Sequence, residues 1–142
     1  MSIIIIPIIT AIVVEFLKFI IPGNKRARSI KGIFAYSGMP SGHAAVVVSL
    51  ATIVGLTQGV ASPLLGVVVI FAILTIRDAV GLRRYLGAHG QVLNILVKDL
   101  RADNVLDENY PHLLEKIGHT YAQVLVGAII GFLVSVSWYY LF

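Results

Sequence analysis

The chain has 142 residues, of which 58% are hydrophobic and only 13% are charged. Soluble domains are typically about 45–50% apolar and about 25% charged, so we expect an integral membrane protein with one domain, residues 1–142. The absence of cysteine excludes disulfides and thiolate metal sites. The net charge of +4 comes without any nucleic-acid-binding motif, so we expect no nucleic-acid partner.

Four apolar runs approach the roughly 20 residues that a membrane-spanning helix needs. They are residues 3–21, 44–60, 64–80 and 121–142. The first run lacks the basic start and the small-residue cleavage site of a signal peptide, so we expect it to be retained. The second and third are joined by residues 61–63, Ala-Ser-Pro, which predict a tight helical hairpin. The pattern predicts an all-α polytopic membrane protein with about four transmembrane helices.

The polar segment between the third and fourth runs, residues 81–118, is too long for a simple turn. Within it, apolar residues recur at helical spacing over residues 88–101, which predicts an amphipathic helix on the membrane interface. An acidic connector follows at residues 103–111, and Pro111 is expected to begin a short helix toward His119. This segment either only covers the bundle or gates the access of a substrate.

The placement of the basic residues predicts the orientation. All eleven Lys and Arg lie in or next to two loops, residues 22–40 and 81–118, which share one side of a four-span arrangement. By the positive-inside rule that side is cytoplasmic. We therefore expect a multi-pass protein of the cell membrane with both termini outside, and a basic surface that suits anionic lipid headgroups.

Two histidines stand at predicted helix starts. Residues 39–43, Met-Pro-Ser-Gly-His, precede the second apolar run, and His119 precedes the fourth. Backbone N–H groups at a helix N-terminus attract anions, so we expect Ser41 and Gly42 to help bind a phosphate group beside His43. With basic residues nearby, this pattern is typical of a protein that binds and cleaves a phosphate at a membrane surface.

Ionisable side chains within apolar runs are costly and are functional by default. Glu15 and Lys18 are three residues apart on the first predicted helix, so they share a face and can pair. A second group lies at the end of the third run and just after it, at the same predicted depth as the histidines: Arg77, Asp78, Arg83 and Arg84. The alternative is that Lys18 and the arginines only anchor the helices at the headgroups.

A histidine that attacks phosphorus must be neutral, and a helix N-terminus and nearby cations both favour the neutral ring. A second histidine across the phosphate can protonate the leaving oxygen, and fixed cations neutralise the charge of the other oxygens. This chemistry requires no metal and no other cofactor. A metal site built from His43, His119 and Asp78 is the alternative, but Asp78 shows no helical ligand spacing with either histidine.

Other features are less specific. His89 and His112 are expected to face solvent or headgroups. Gly55–Gly59 and Gly127–Gly131 both have GxxxG spacing, which allows close helix contact either inside the bundle or across a homodimer.

Several of these stretches resemble a known family. Residues 40–43, Pro-Ser-Gly-His, match the second signature of the type 2 phosphatidic acid phosphatase superfamily, which includes vanadium haloperoxidases. Residues 118–127 look like its third signature. Residues 78–84 and 91–94 are similar to its divergent branch, the acid phosphatase/vanadium-dependent haloperoxidase-related proteins. The likeness to that branch covers residues 18–131.

The resemblance implies roles for particular residues. His119 would be the nucleophile that forms a phosphohistidine, and His43 would be the general acid. Lys18, or one of Lys25 and Arg26, would bind phosphate.

One departure from the superfamily pattern concerns an arginine. The third signature has an arginine six residues before its histidine, and this chain has Leu113 there. Arg83 or Arg84 would substitute for it from the end of the third span.

A second departure concerns the acid that orients the nucleophile in the superfamily. Gln123 stands at that position, four residues after the histidine. On a helix it would lie on the same face, where its amide oxygen can still accept a hydrogen bond from the ring. The alternative is that Asp78 or Glu115 orients the ring.

Residues and resemblance together predict a metal-independent lipid-phosphate phosphatase. It would hydrolyse a phosphomonoester or diphosphate on a lipid, such as phosphatidic acid, phosphatidylglycerophosphate or a prenyl phosphate. Four spans expose more lateral surface than the six of other superfamily members, which favours a homodimer. The alternative is a non-catalytic membrane protein, either a small transporter with Arg77 and Asp78 in its path or a lipid-phosphate-binding subunit. A haloperoxidase is a more distant alternative.

Overall fold

The chain folds into helices that follow its apolar runs in a computed structural model, which describes residues 3–21, 38–102, 110–115 and 117–142. Those residues form five α-helices and no strand. In chain order they are α1 (Ile5–Ile20), α2 (Gly42–Gln58), α3 (Pro63–Val80), α4 (Leu82–Ala102) and α5 (Tyr121–Leu141). The predicted all-α architecture is confirmed.

The ends of α2 and α3 follow from local chemistry. The hydroxyl of Ser41 caps α2 by accepting from the N–H of Ala44 at 3.4 Å, and Ser62 caps α3 in the same way. Pro63 occupies the first position of α3, where a helix does not use the N–H that proline lacks. Gly59 ends α2 with φ of +81°, which glycine adopts without strain. The short turn between the two helices confirms the predicted hairpin.

The second helix is the centre of the bundle. It packs against α1, α3 and α5, and its side chains are buried or half-buried until its last residue. On α5, Gly127 and Gly131 lie directly against the backbone carbonyls of Ser41 and Ala45, so a Cβ at either glycine would collide. This GxxxG pair therefore makes a contact inside the bundle and is not available to a partner chain.

Three hydroxyl side chains join the helices in the interior. Thr10 on α1 donates to the Ser49 hydroxyl of α2 at 3.0 Å, and Ser135 on α5 donates to the same oxygen at 2.8 Å. All three residues are fully buried. Hydroxyls that pair across helices hold them together where the surroundings are apolar, so this cluster fixes α1, α2 and α5 to one another.

The outer faces of the bundle are apolar. Phe16, Phe71 and Phe132 are all more than half exposed, and a large exposed apolar surface marks contact with a membrane or a partner. Two helical stretches are long and apolar enough to cross a membrane. One is Pro63–Ala102, which contains α3 and α4, and the other is Tyr121–Leu141, which is α5. The first two helices, with 16 and 17 residues, are about 24–26 Å long at 1.5 Å per residue. Length and composition thus support two of the four predicted spans.

The segment after α3 differs from its prediction in two ways. Helix α4 begins six residues before the predicted 88, and only Gly81 separates it from α3. The expectation of a short helix from Pro111 is wrong, because residues 110–115 and 117–120 are not helical. Asn94 of α4 explains the extended chain: it accepts from the N–H of Leu113 and donates to its carbonyl, both at 2.9 Å. Residues 103–109 of the acidic connector lie outside the described residues.

Candidate active site

The first histidine of the site is fixed by the start of the central helix. His43 is the second residue of α2 and is half-buried. The N–H of Ser41 donates to the carbonyl of Gln123 at 3.0 Å, and Gly127 packs on the Ser41 carbonyl. The start of α2 is therefore fastened to the first turn of α5.

The second histidine lies in the loop before α5, where it is 4% exposed. Its backbone N–H donates to the carbonyl of Ala79 on α3 at 2.9 Å. Gly118 before it has φ of +93°, and a Cβ there would lie 2.9 Å from the Arg84 nitrogen. This turn brings the His119 ring to within 5.9 Å of the His43 ring, between centroids, at an interplanar angle of 59°. The pair that the sequence predicts is brought together.

The loop that carries His119 is held from outside by α4. Besides its two bonds to Leu113, Asn94 donates to the Glu115 carboxylate at 2.9 Å. Gly87 and Gly90 of α4 let the loop approach closely, since a Cβ on either would collide with the backbone of Glu115 or Leu114. Helix α4 thus supports the loop before His119 at Leu113, Leu114 and Glu115.

A lysine lies beside the first histidine. Lys18 is 7% exposed and pairs with Glu15 at 2.6 Å, which confirms the pairing expected from their spacing. A Cβ on Gly42 would lie 3.4 Å from Lys18 Nζ and 3.5 Å from Glu15 Oε1. The ion pair therefore sits directly at the start of α2, next to His43.

The second cation of the site comes from the start of α4. Arg83 donates through Nε to Asp78 Oδ2 at 2.7 Å, and its charge acts on the His43 ring, as does that of Lys18. Arg84 is exposed, and its backbone lies against Gly118. Of the two candidates to replace the superfamily arginine, Arg83 is the one whose charge acts on His43.

Some predicted site residues are placed elsewhere. Asp78, a predicted orienting residue, pairs with Arg83, and Glu115 accepts from Asn94. His89 and His112 are exposed, as expected. The predicted phosphate ligands Lys25 and Arg26 lie outside the described residues.

The ring of His119 is favoured in its neutral form. Burial lowers its pKa, the amide of Gln123 beside the ring opposes that shift, and the charges of His43 and Lys18 lower it further. Among the described residues, its Nδ1 has no hydrogen-bond partner. The Gln123 oxygen accepts from the N–H of Thr120 at 2.9 Å, and the Thr120 hydroxyl accepts from the Gln123 N–H at 3.3 Å. This reciprocal capping box starts α5.

Sequence reasoning missed two contributors to the site. Asn94 holds the loop that leads to His119, and nothing in a single polar residue on an amphipathic helix indicates such a role. The role of Thr120 could have been predicted, because Thr-x-x-Gln before an apolar run is a capping-box signature. In the described part of the chain no three His, Asp or Glu side chains are grouped so that they could hold a metal ion.

The fold and the site define an all-helical protein with apolar outer faces and two histidines close together at the starts of two helices. The chain belongs to the divergent PAP2 family, whose model matches residues 1–134. This confirms the resemblance to a divergent branch of the type 2 phosphatidic acid phosphatase superfamily. The uncharacterized membrane protein YuiD of Bacillus subtilis (strain 168) is 36% identical, over 74% of this chain and 72% of that protein. No solved structure matches the chain.

Proposed function

We propose that this protein is a membrane-embedded phosphatase that hydrolyses a phosphomonoester or diphosphate group on a lipid. The observation that carries the proposal is the separation of the two histidine rings, 5.9 Å between centroids. A nucleophile lies about 3–3.5 Å from the atom it attacks, and a general acid about 2.6–3.2 Å from the oxygen it protonates. Both imidazoles therefore lie close enough together to contact different atoms of one bound phosphoryl group.

The roles of the two histidines follow from their surroundings. His119 is the more buried, and a lowered pKa keeps its ring neutral and nucleophilic. It attacks phosphorus and forms a phosphohistidine while His43 protonates the leaving oxygen, and water then attacks the phosphohistidine with His43 as the base. Lys18 and Arg83, whose charges reach His43, stabilise the negative charge that the phosphoryl oxygens carry in the transition state.

The proposed topology places this site on the cytoplasmic side, with α1, α2, α3 and α5 as four spans and both termini outside. It rests on the basic residues around the site and on the positive-inside rule. Because the chain has no cysteine, single cysteines can report on each side. An impermeant thiol reagent added to intact cells should label Ser62→Cys, in the α2–α3 turn, and spare Asp99→Cys, on α4. Labelling of only Asp99→Cys would reverse the orientation.

The function is tested by phosphate release from a panel of lipid phosphates with purified protein. We expect release from at least one lipid, unchanged by a chelator and inhibited by vanadate, which adopts the five-coordinate geometry of the transition state. Activity lost in chelator and restored by a divalent cation would indicate metal-assisted chemistry instead.

One observation favours a second function, lipid-phosphate binding without turnover. The acid that the superfamily places against the nucleophile is absent, and the Gln123 oxygen that stands in its place accepts from Thr120. Binding of a lipid phosphate with no release of phosphate under any of these conditions would support that function.

A further inference from the structure

The two cations at the histidine pair each have a carboxylate partner, three residues away for Lys18 and five residues away for Arg83. Lys18 is 2.6 Å from Glu15, and Arg83 is 2.7 Å from Asp78. The two pairs come from different elements, one from α1 and the other from the junction of α3 and α4. Two ion pairs of the same kind, a cation with a carboxylate, therefore lie around His43.

All four charges act on the histidine site. Lys18 and Arg83 act on the His43 ring with positive charge, and Glu15 and Asp78 act on it with negative charge. These four charges balance one another, so the two ion pairs beside His43 together offer a phosphoryl group little net positive charge. Attraction by Lys18 and Arg83 is offset by repulsion from carboxylates within a few ångströms, and the repulsion grows with each negative charge on the ligand.

The position of Glu15 strengthens this argument. Its Oε1 is only 3.5 Å from where a Cβ on Gly42 would lie, at the N-terminus of α2 where an anion would bind. Its side chain is about one-third exposed, so it is not sealed from a ligand. A phosphate oxygen approaching Lys18 and the start of α2 must come close to this carboxylate.

We propose that Glu15 and Asp78 determine the charge of the phosphoryl group that the site accepts, and that they favour a singly charged group over a doubly charged one. Resting on the proposed function, this narrows the substrate class to lipids whose reacting phosphoryl group carries one negative charge when it binds. A protonated monoester and the substituted phosphoryl group within a diphosphate meet that condition. A fully ionised terminal phosphate does not.

The test uses two tetrahedral anions whose charge does not change over the working pH range. Sulfate carries two negative charges, and methyl sulfate carries one. Their dissociation constants are measured by calorimetry with the full-length protein in detergent micelles, at constant ionic strength. We expect the wild-type protein to bind methyl sulfate more tightly than sulfate.

Removal of one carboxylate should change that preference without changing the shape of the site. In Glu15→Gln and in Asp78→Asn the affinity for sulfate should rise relative to methyl sulfate by on the order of tenfold, because one fixed negative charge has been removed. Each variant checks the other, since one can be measured if the other fails to fold. The matched control is Asp99→Asn on α4, which changes the net charge equally but lies sixteen residues after Arg83, about 24 Å along the helix. Its ratio should equal that of the wild type.

The outcomes separate the two proposals. If both anions bind but the ratio is the same in Glu15→Gln, Asp78→Asn and wild type, the charge selection is wrong and the phosphatase proposal stands. If neither anion binds to any folded form, the site does not hold a tetrahedral anion, and both proposals fall. If the ratio changes equally in Asp99→Asn, the effect is one of net charge, and the inference is overturned.

Discussion

The two histidines stand at similar places in the sequence, each just before or within the first turn of an apolar helix, but the structure holds them in different ways. His43 belongs to α2, whose start is packed between helices and fastened to α5. His119 lies outside any helix, and its loop is held by Ala79 and by the side chain of Asn94. One is positioned by the bundle, and the other by a few hydrogen bonds at its edge.

Because of this difference, we expect changes near His43 to affect the stability of the fold and changes near His119 to affect mainly the reaction rate. A change near His43 alters the contact between α2 and α5, on which the whole bundle depends. A change near His119 can loosen one loop while the four packed helices remain. Variants at the two histidine sites should therefore be distinguishable by whether the folded state or only the rate is affected.

The largest effect is expected at the histidines themselves. His119→Ala and His43→Ala should each lower the rate of phosphate release more than a hundredfold, which corresponds to about 3 kcal/mol of transition-state stabilisation. His119→Ala should still unfold cooperatively, since the residue lies in a loop and not in one of the packed helices. A folded His119→Ala protein with nearly wild-type activity would contradict the proposed mechanism.

The next effect concerns the stability of the His43 side. Gly131 packs on the Ala45 carbonyl, so Gly131→Val should force α2 and α5 apart. Overpacking of this kind costs about 1–3 kcal/mol, measured as a lower midpoint of thermal unfolding in micelles. The control is Gly66→Val on α3, where a new side chain meets no atom within 4 Å. Equal midpoints for the two variants would show that the α2–α5 contact is not what holds the bundle.

Periodicity and local signatures predicted the helices of the bundle but not how they support the site. The apolar runs, the Ser-Pro start of α3 and the pairing of Glu15 with Lys18 all depend on neighbours in the sequence, and the structure bears them out. The proximity of the two histidines was expected from their matching positions, and the ring distance agrees.

Contacts between distant segments could not be predicted. The expected helix from Pro111 fails because Asn94, nineteen residues before Leu113, holds the chain extended. A proline at a helix start is a weak local preference, and two hydrogen bonds to one residue's backbone outweigh it. Gln123 combines two local signals: its spacing from His119 predicts an orienting role, and Thr-x-x-Gln predicts the capping box with Thr120 that the structure contains.

A smaller effect, on rate alone, is expected at the Asn94 support. Asn94→Ala removes both bonds to the Leu113 backbone and should let the His119 loop move, which lowers kcat by about tenfold because the nucleophile is less well aligned. The KM should change little, since Lys18 and α2 are untouched. The matched control is Gln91→Ala, an exposed residue one turn earlier on α4. A fall in stability that matches the fall in rate would mean that Asn94 acts on the fold as a whole.

The smallest effect, a shift along the pH axis, is expected at Gln123. Burial lowers the pKa of His119 below its usual 6.5, so the neutral nucleophile should persist below that pH and the acid limb of the pH–rate profile should lie there. Gln123→Glu keeps the capping box, which accepts either residue, but places a carboxylate beside the ring. A nearby negative charge stabilises the imidazolium and raises the pKa of His119, so the acid limb should move to higher pH by on the order of one unit.

The rate on the plateau should change little in Gln123→Glu. The matched control is Gln91→Glu, which adds the same charge on the exposed face of α4 and should leave the pH–rate profile unchanged. If the limb stays in place in Gln123→Glu while the protein remains folded and active, the amide of Gln123 does not govern the protonation of His119, and its role is confined to starting α5.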